Sequence, residues 1–358
     1  MIGPNPRLVK FMAKCALCGS GLAAGSPGVC GPCIRTRPEA ADYIKEAHKA
    51  RWRNPGRDDA APGDVAVTCR LCVNRCEIFP GGLGVCGLRT NRNGRLVHLG
   101  GTPSRGILQW YFDPLPTNCV ASWFCPECTG ATRGRNLAVF YGACSFDCLF
   151  CQNSQYLIMT SVLSPAETAE DLAGAVDDQT RCVCYFGGDP TPQLPHAIRA
   201  SELIMERSSA RICFETNGSM SYGLLRRAAK IAGESGGIIK FDLKAWDENL
   251  HLALCGASST YTKRNFRWLA SNLGSDRMAA STLLVPGYVD SEEVGKIAAF
   301  IADLDPAIPY SLLAFYPAHR MTDLPVTSWE LARECQRAAL EAGVKRVNIG
   351  NVGLLGEM

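Results

Sequence analysis

From about Asn136 onward, short apolar runs alternate with longer stretches in which apolar residues recur every three to four positions. The runs NLAVF, RCVCYF, RICFE, IIKFDL, ASTLLV and YSLLAF, rich in β-branched and aromatic residues, predict strands. Between them PAETAEDLAGAVDDQ, LPHAIRASELIMER, YGLLRRAAKIAGES, YTKRNFRWLASNL and SEEVGKIAAFIADL predict amphipathic helices. TSWELARECQRAALEAG and a final RVNI follow. Strand–helix alternation of this kind makes right-handed parallel βαβ units. Six such units predict an α/β fold, a partial (β/α)6 TIM-like barrel over residues 134–358.

The front of the chain lacks that rhythm. Residues 1–60 carry Cys15-x2-Cys18 and Cys30-x2-Cys33, then DYIKEAHKARWR, and close in NPGRDDAAPGD, a linker by composition. Residues 61–133 are irregular and rich in Cys, Gly and Arg, with too few periodic segments to predict a sheet. Their order is expected to depend on metal.

Composition changes this picture in two respects. With 358 residues, 47% hydrophobic and 20% charged, the chain reads as a folded soluble protein. It has no apolar run long enough to span a bilayer and no secretory leader, so a cytoplasmic location and no membrane partner are expected. The second respect is the 19 cysteines, clustered at short spacings. In a long chain that pattern favours metal ligation over disulfides. The net charge of +3 hides a basic front and an acidic remainder. No interleaving of aromatic and basic residues marks a nucleic-acid platform, so the basic front reads as solvated surface and a nucleic-acid partner stays open.

In parallel α/β barrels chemistry gathers where strands end. Here the first strand is followed by Cys144, Cys148 and Cys151 in CxxxCxxC spacing, the second by GGDPTP, the third by TNG and the fourth by Lys244. Three thiolates leave a tetrahedral zinc one ligand short. Either a remote cysteine completes a zinc site, or an iron–sulfur cluster keeps one iron open for a small chelating ligand.

The loop AVFYGACSFDCLFCQN, with Phe150 just before the third cysteine, resembles the cluster loop of radical S-adenosylmethionine (SAM) enzymes. YFGGDPTP is similar to that superfamily's GGEP strand end, and FDLKAWDENLHLALCGAS to the DLK segment of pyruvate formate-lyase activating enzymes. CRLCVNRCEIFPGGLGVCGLRTNRNG, VPGYVDSEEV and FYPAHRMTDLP resemble the radical SAM member of the AmmeMemoRadiSam group, over about residues 69–355. The resemblance implies a [4Fe-4S] cluster on Cys144, Cys148 and Cys151, with SAM on the open iron. It implies reductive cleavage to a 5′-deoxyadenosyl radical that abstracts hydrogen from a substrate. Gly187 and Gly188 would let backbone approach the methionine amino group. Asp189 would supply charge or turn geometry, and Pro190 would fix the turn. Thr216 and Asn217 would contact ribose or carboxylate. Asp242 and Lys244, on one face of a strand, would meet ribose and carboxylate, with Lys244 placed in the reaction. Phe150 would lie against adenine. Tyr316 stands where related activating enzymes carry a histidine, with His319 three residues on. An electron donor such as flavodoxin or ferredoxin is implied, and a protein substrate is one reading.

The other cysteines divide by spacing. Cys15, Cys18, Cys30 and Cys33 predict a four-thiolate knuckle holding zinc or a single iron. Cys69, Cys72, Cys76 and Cys86 could hold zinc or an auxiliary iron–sulfur cluster. Cys119, Cys125 and Cys128 could share ligands with those four or act as redox thiols. Cys182, Cys184, Cys213 and Cys335, inside strand and helix patterns, read as apolar filling. Cys255 is open to a reactive role. The expected function is a radical SAM oxidoreductase acting on an unidentified protein, peptide or small molecule. The rivals are a glycyl-radical enzyme activator, an RNA- or peptide-modifying radical enzyme, and a metal-binding scaffold without catalysis.

Overall fold

The computed structural model describes residues 13–19, 22–52, 60–117, 119–130 and 133–356. Three antiparallel ribbons come first. They are β1 (Ala13–Lys14) with β2 (Leu22–Ala23), β3 (Val67–Thr68) with β4 (Glu77–Ile78), and β5 (Arg89–Arg92) with β6 (Arg95–His98). The main sheet comprises β7 (Gly106–Pro114), β8 (Arg135–Tyr141), β9 (Ala166–Glu167), β10 (Thr180–Gly187), β11 (Arg211–Thr216), β12 (Ile239–Asp242), β13 (Met278–Leu284), β14 (Tyr310–Ala314) and β15 (Val347–Gly350). Its order is β15-β14-β13-β12-β11-β10-β8-β7-β9. Neighbours from β8 to β15 run parallel, and β7 runs antiparallel to β8 and β9.

Every expected strand after Asn136 is present, and RVNI closes the parallel run as β15 against β14. Helices Leu194–Met205, Tyr222–Ser235, Ser291–Leu304 and Trp329–Glu341 follow β10, β11, β13 and β14, and two helices, Glu248–Cys255 and Thr260–Leu273, follow β12. Buried strands need continuous apolar runs, which is why these strands were readable. Among the described residues β15 and β9 form the edges of the sheet.

The expectation of no sheet in residues 61–133 fails at the small ribbons β3–β4 and β5–β6 and, in the main sheet, at β7. Its residues GILQWYFDP pair with β8 from Leu108 to Pro114. Only Gly106–Leu108 are buried, and the polar residues Gln109 and Asp113 interrupt the rest, so the apolar run is masked in the sequence.

The front segments are bound into the same core. Fully buried Arg89 donates to the carbonyls of Leu88, Gly100 and Pro192. Gln193 makes both donor and acceptor bonds to the Ile107 backbone. The first Cys-rich segment docks on the 285–290 loop, where the Tyr288 hydroxyl accepts from Ala24 N–H and donates to the Val29 carbonyl. Helix Ala40–Trp52 packs against helix Glu248–Cys255. Residues 54–59 of the expected linker lie outside the described residues.

Candidate cofactor site

Side chains alternate along a strand, so residues two apart share a face. Cys184 and Phe186 of β10, Cys213 and Glu215 of β11, and Lys240 and Asp242 of β12 therefore face inward. Asn217 and Lys244 continue the β11 and β12 faces just past the strand ends. At the C-terminal ends of the strands this inner face walls a cavity of about 360 Å³. Its lining includes Cys144, Cys148, Cys151, Phe150, Gly187, Gly188, Asp189, Asn217, Asp242 and Lys244. Ten residues singled out from four separate stretches of sequence thus meet at one place, as the strand-end rule requires.

Two of the expected cofactor contacts lie just behind that wall. Pro190 precedes a turn of 3-10 helix at Thr191–Gln193, and buried Thr216 donates to the Asp189 carboxylate at 3.0 Å. Tyr316 is half exposed, at 53%, and does not line the cavity.

Asp189 is occupied already. Its carboxylate accepts from the N–H of Thr191 at 2.7 Å and of Asn217 at 2.6 Å, in addition to Thr216. Burial pushes its pKa up to about 6 against those hydrogen bonds. Of the two roles expected for it, turn geometry is the one its partners support: it ties the end of β10 to the end of β11.

The glycines answer to packing in the same way. A Cβ on Gly187, whose φ is +115°, would strike the Tyr141 backbone, and one on Gly188 would strike Ala143 and the Tyr156 ring. Only glycine lets the end of β10 lie this close to the thiol loop.

Lys244 reaches the Asp242 carboxylate at 2.7 Å and stands 5.8 Å from the centre of the Phe150 ring. Burial works against its ammonium, but the charge and hydrogen bond of Asp242 together with the nearby Cys148 and Cys255 outweigh this and hold the pKa above the ordinary lysine value. Asp242 is held in turn by the Ser281 hydroxyl at 2.6 Å. The pair presents a fixed ammonium and a carboxylate side by side, the complement of a ligand carrying an anionic and a hydroxylated group.

The thiol loop is braced from three directions that the sequence did not reveal. Asp147, inside the CxxxCxxC spacing, accepts from His48 at 2.8 Å and from Arg320 at 2.6 Å. Burial opposes its charge, yet these bonds hold its pKa below the usual carboxylate range. Arg51 donates to the Cys144 carbonyl at 3.0 Å, and Asn74 donates to the Ser145 carbonyl at 2.6 Å. Asn217 holds the Ser145 hydroxyl at 2.9 Å. Both Cys-rich front segments thus contribute a side chain to the loop.

A three-thiol loop, with Cys144 buried and Cys148 and Cys151 half-buried, stands beside an ammonium–carboxylate pair at the C-terminal mouth of a parallel sheet, an arrangement that could hold a metal with room for an organic ligand. Residues 138–301 match the family model for the Radical SAM superfamily. An uncharacterized protein of Methanocaldococcus jannaschii is 27% identical over 297 residues, covering 81% of this chain and 82% of that protein. A second protein of that organism, provisionally named as a glycyl-radical enzyme activating enzyme, is 26% identical over 135 residues, 37% of this chain and 49% of its own length. Among solved structures, a domain of pyruvate-formate lyase-activating enzyme from Bacteroides vulgatus is 19% identical with a TM-score of 0.38, covering 48% of this chain and 99% of that domain. Residues 138–301 are thus a radical SAM domain, with the α/β fold and mixed sheet of that superfamily.

Such a domain implies a [4Fe-4S] cluster and SAM, and the residues present fit both. Burial pushes the Cys144 thiol well above its ordinary value and Cys151 up to about 12, so thiolates here require a cation. Cys144 Sγ already accepts the Phe146 N–H at 3.3 Å, a donor of the kind that steadies cluster sulfurs. Among the described residues, Cys15, Cys18, Cys30 and Cys33 are grouped with their sulfurs all within 4.8 Å, the spacing of one ion. Cys144, Cys148 and Cys151 do not close to that spacing, nor do Cys69, Cys72, Cys76 and Cys86.

Cys182, Cys184 and Cys213 are buried as expected, but they are not simple filling. They line a second cavity beneath the first, together with Cys119, Cys125, Cys128 and the buried ion pair Lys240–Glu215. The signal for it was Lys240, a charge at the centre of the apolar run IIKFDL.

Proposed function

We propose that this enzyme binds a [4Fe-4S] cluster through Cys144, Cys148 and Cys151, uses it to cleave SAM reductively, and abstracts hydrogen from a substrate in the inner cavity. The observation that carries this is the convergence of the three thiols with Asn217, Asp242 and Lys244 on one cavity wall. When bound, the cluster and SAM supply a 5′-deoxyadenosyl radical. The chain's own residues bind, orient and exclude water. Lys244 offers its ammonium to the SAM carboxylate. Asp242, fixed by Ser281, accepts from ribose hydroxyls. Phe150, almost wholly buried, gives the adenine an apolar face. The braces from His48, Arg51, Asn74 and Arg320 keep the thiol loop in one conformation, and buried Phe146 and Tyr156 keep that part of the cavity wall apolar.

A zinc ion at Cys15, Cys18, Cys30 and Cys33 belongs to this reading as a structural element, since a knuckle this small cannot build its own core. A reductant such as flavodoxin or ferredoxin supplies the electron. The relative provisionally named as a glycyl-radical activator favours a protein substrate over a free metabolite. The test is anaerobic: protein reconstituted with iron and sulfide, then given SAM and dithionite, is assayed for 5′-deoxyadenosine. Production in the wild type and its loss in Cys148→Ala support the reading. Bound iron with no 5′-deoxyadenosine refutes it.

A further inference from the structure

Residues 119–130, between β7 and β8, cross the inner face of the sheet as a plug. Trp123 donates to the Ser311 hydroxyl of β14 at 3.0 Å, and Ser311 donates to the Val120 carbonyl at 2.9 Å. Glu127 accepts from Arg211 of β11 at 2.6 Å, and Ala121, Phe124 and Cys125 pack on Cys184, Cys213 and Ile238. The plug thus delivers Cys119, Cys125 and Cys128 to a face that already carries Cys182, Cys184 and Cys213. Between them lies a cavity of about 80 Å³, several times what one water needs.

Three features separate this chamber from ordinary filling. The first is charge. Lys240, only 3% exposed, points its ammonium at Cys119 Sγ (3.1 Å), Cys184 Sγ (3.2 Å) and Glu215 (2.8 Å). A buried ammonium is costly unless anions surround it. The second is the backbone. Ala121 N–H donates to Cys119 Sγ at 3.4 Å, the i to i+2 arrangement that Phe146 N–H makes with Cys144 Sγ in the thiol loop. Ile238 N–H donates to Cys213 Sγ at 3.4 Å. The third is position. Cys119, Phe186 and Glu215 line both this chamber and the cofactor cavity, so the two share a wall.

We propose that this chamber is a second metal centre, an iron–sulfur cluster held by Cys119, Cys125 and Cys128 of the plug and closed by Cys213 or Cys184 of the sheet. Six thiols exceed what one tetrahedral ion takes, and no three of their sulfurs close to the single-ion spacing of the Cys15 group. Lys240 then serves as donor to two sulfurs at the cluster's edge, where hydrogen bonds and charge set the reduction potential. Its place below the cofactor cavity suits an electron store for the upper site. The inference concerns metal content alone and stands or falls apart from SAM cleavage.

The test uses the full chain, reconstituted anaerobically. Iron, sulfide and zinc are counted in the wild type, in Cys125→Ser with Cys128→Ser, in Cys213→Ala with Cys184→Ala, and in Cys335→Ala as a remote buried control. The plug and sheet variants should each lose about four iron and four sulfide per chain and keep their zinc, and the control should lose none. Unchanged iron overturns the proposal, and so does loss of zinc in place of iron. Because a thiol variant can misfold, Lys240→Met, which keeps all six thiols, is titrated electrochemically. One reduction potential should fall while the iron count holds. No potential moving between wild type and Lys240→Met also overturns the proposal.

Discussion

His48 lies in the first Cys-rich segment, about a hundred residues before the loop it braces. Its ring is fully buried, with Nδ1 2.8 Å from Asp147 and Nε2 3.0 Å from the Ala253 carbonyl. His48→Ala removes a hydrogen bond to a charged carboxylate, worth about 1.5–3 kcal/mol, and strands a buried carbonyl at about 1 kcal/mol. Arg320 still neutralises Asp147, so the total is about 3 kcal/mol. In a chain of this length that lowers Tm by about 4 °C. The assay is a double-mutant cycle of His48→Ala and Asp147→Ala in denaturant, with iron uptake measured on each protein. A coupling of about 2 kcal/mol and reduced iron retention in both single variants are expected. Additivity within about 0.5 kcal/mol would refute the reasoning, because it would mean the front segment does not hold the thiol loop.

Three further outcomes follow from the geometry. Burial lowers the pKa of His196 from 6.5 to about 4. The unfolded chain therefore takes up a proton that the fold refuses, and stability is full above pH 6.5 and falls toward pH 4, by about 3 kcal/mol for this group. His251 behaves alike, so His196→Gln should reduce the slope in denaturant titrations across that window, and an unchanged slope would speak against it. Gly188→Ala should cost about 1–3 kcal/mol by overpacking against Ala143 and Tyr156. Gly223→Ala, on a helix with open space around it, should be neutral or stabilising by less than about 1 kcal/mol, and equal effects at the two positions would contradict the packing account. A zinc chelator should release about one ion from Cys15, Cys18, Cys30 and Cys33 and lower Tm while leaving iron in place, as metal analysis and calorimetry can check.

What could be read from the sequence followed physical range. The parallel strands were legible because each is a short, continuous apolar run, and the thiol loop was legible because its three cysteines lie within eight residues. Lys244 and Asp242 were placed together by the period of a strand. The braces were not legible: His48, Asn74 and Arg320 are ordinary polar residues until the fold brings them to Asp147 and Ser145. β7 was hidden by Gln109 and Asp113, and the glycines of GGDP proved to be set by neighbouring backbone as much as by any ligand. Cys182, Cys184 and Cys213 looked apolar in isolation, and only the plug from 119–130 gives them company.

The central claim is that Cys144, Cys148 and Cys151 hold a cluster whose fourth position takes SAM, and electron paramagnetic resonance of the reduced protein tests it most directly. Adding SAM should change the spectrum of one cluster, methionine-labelled SAM should show coupling of its amino and carboxylate nuclei to that cluster, and Cys148→Ala should lose the response. A reduced wild-type spectrum that SAM leaves unchanged would contradict the account.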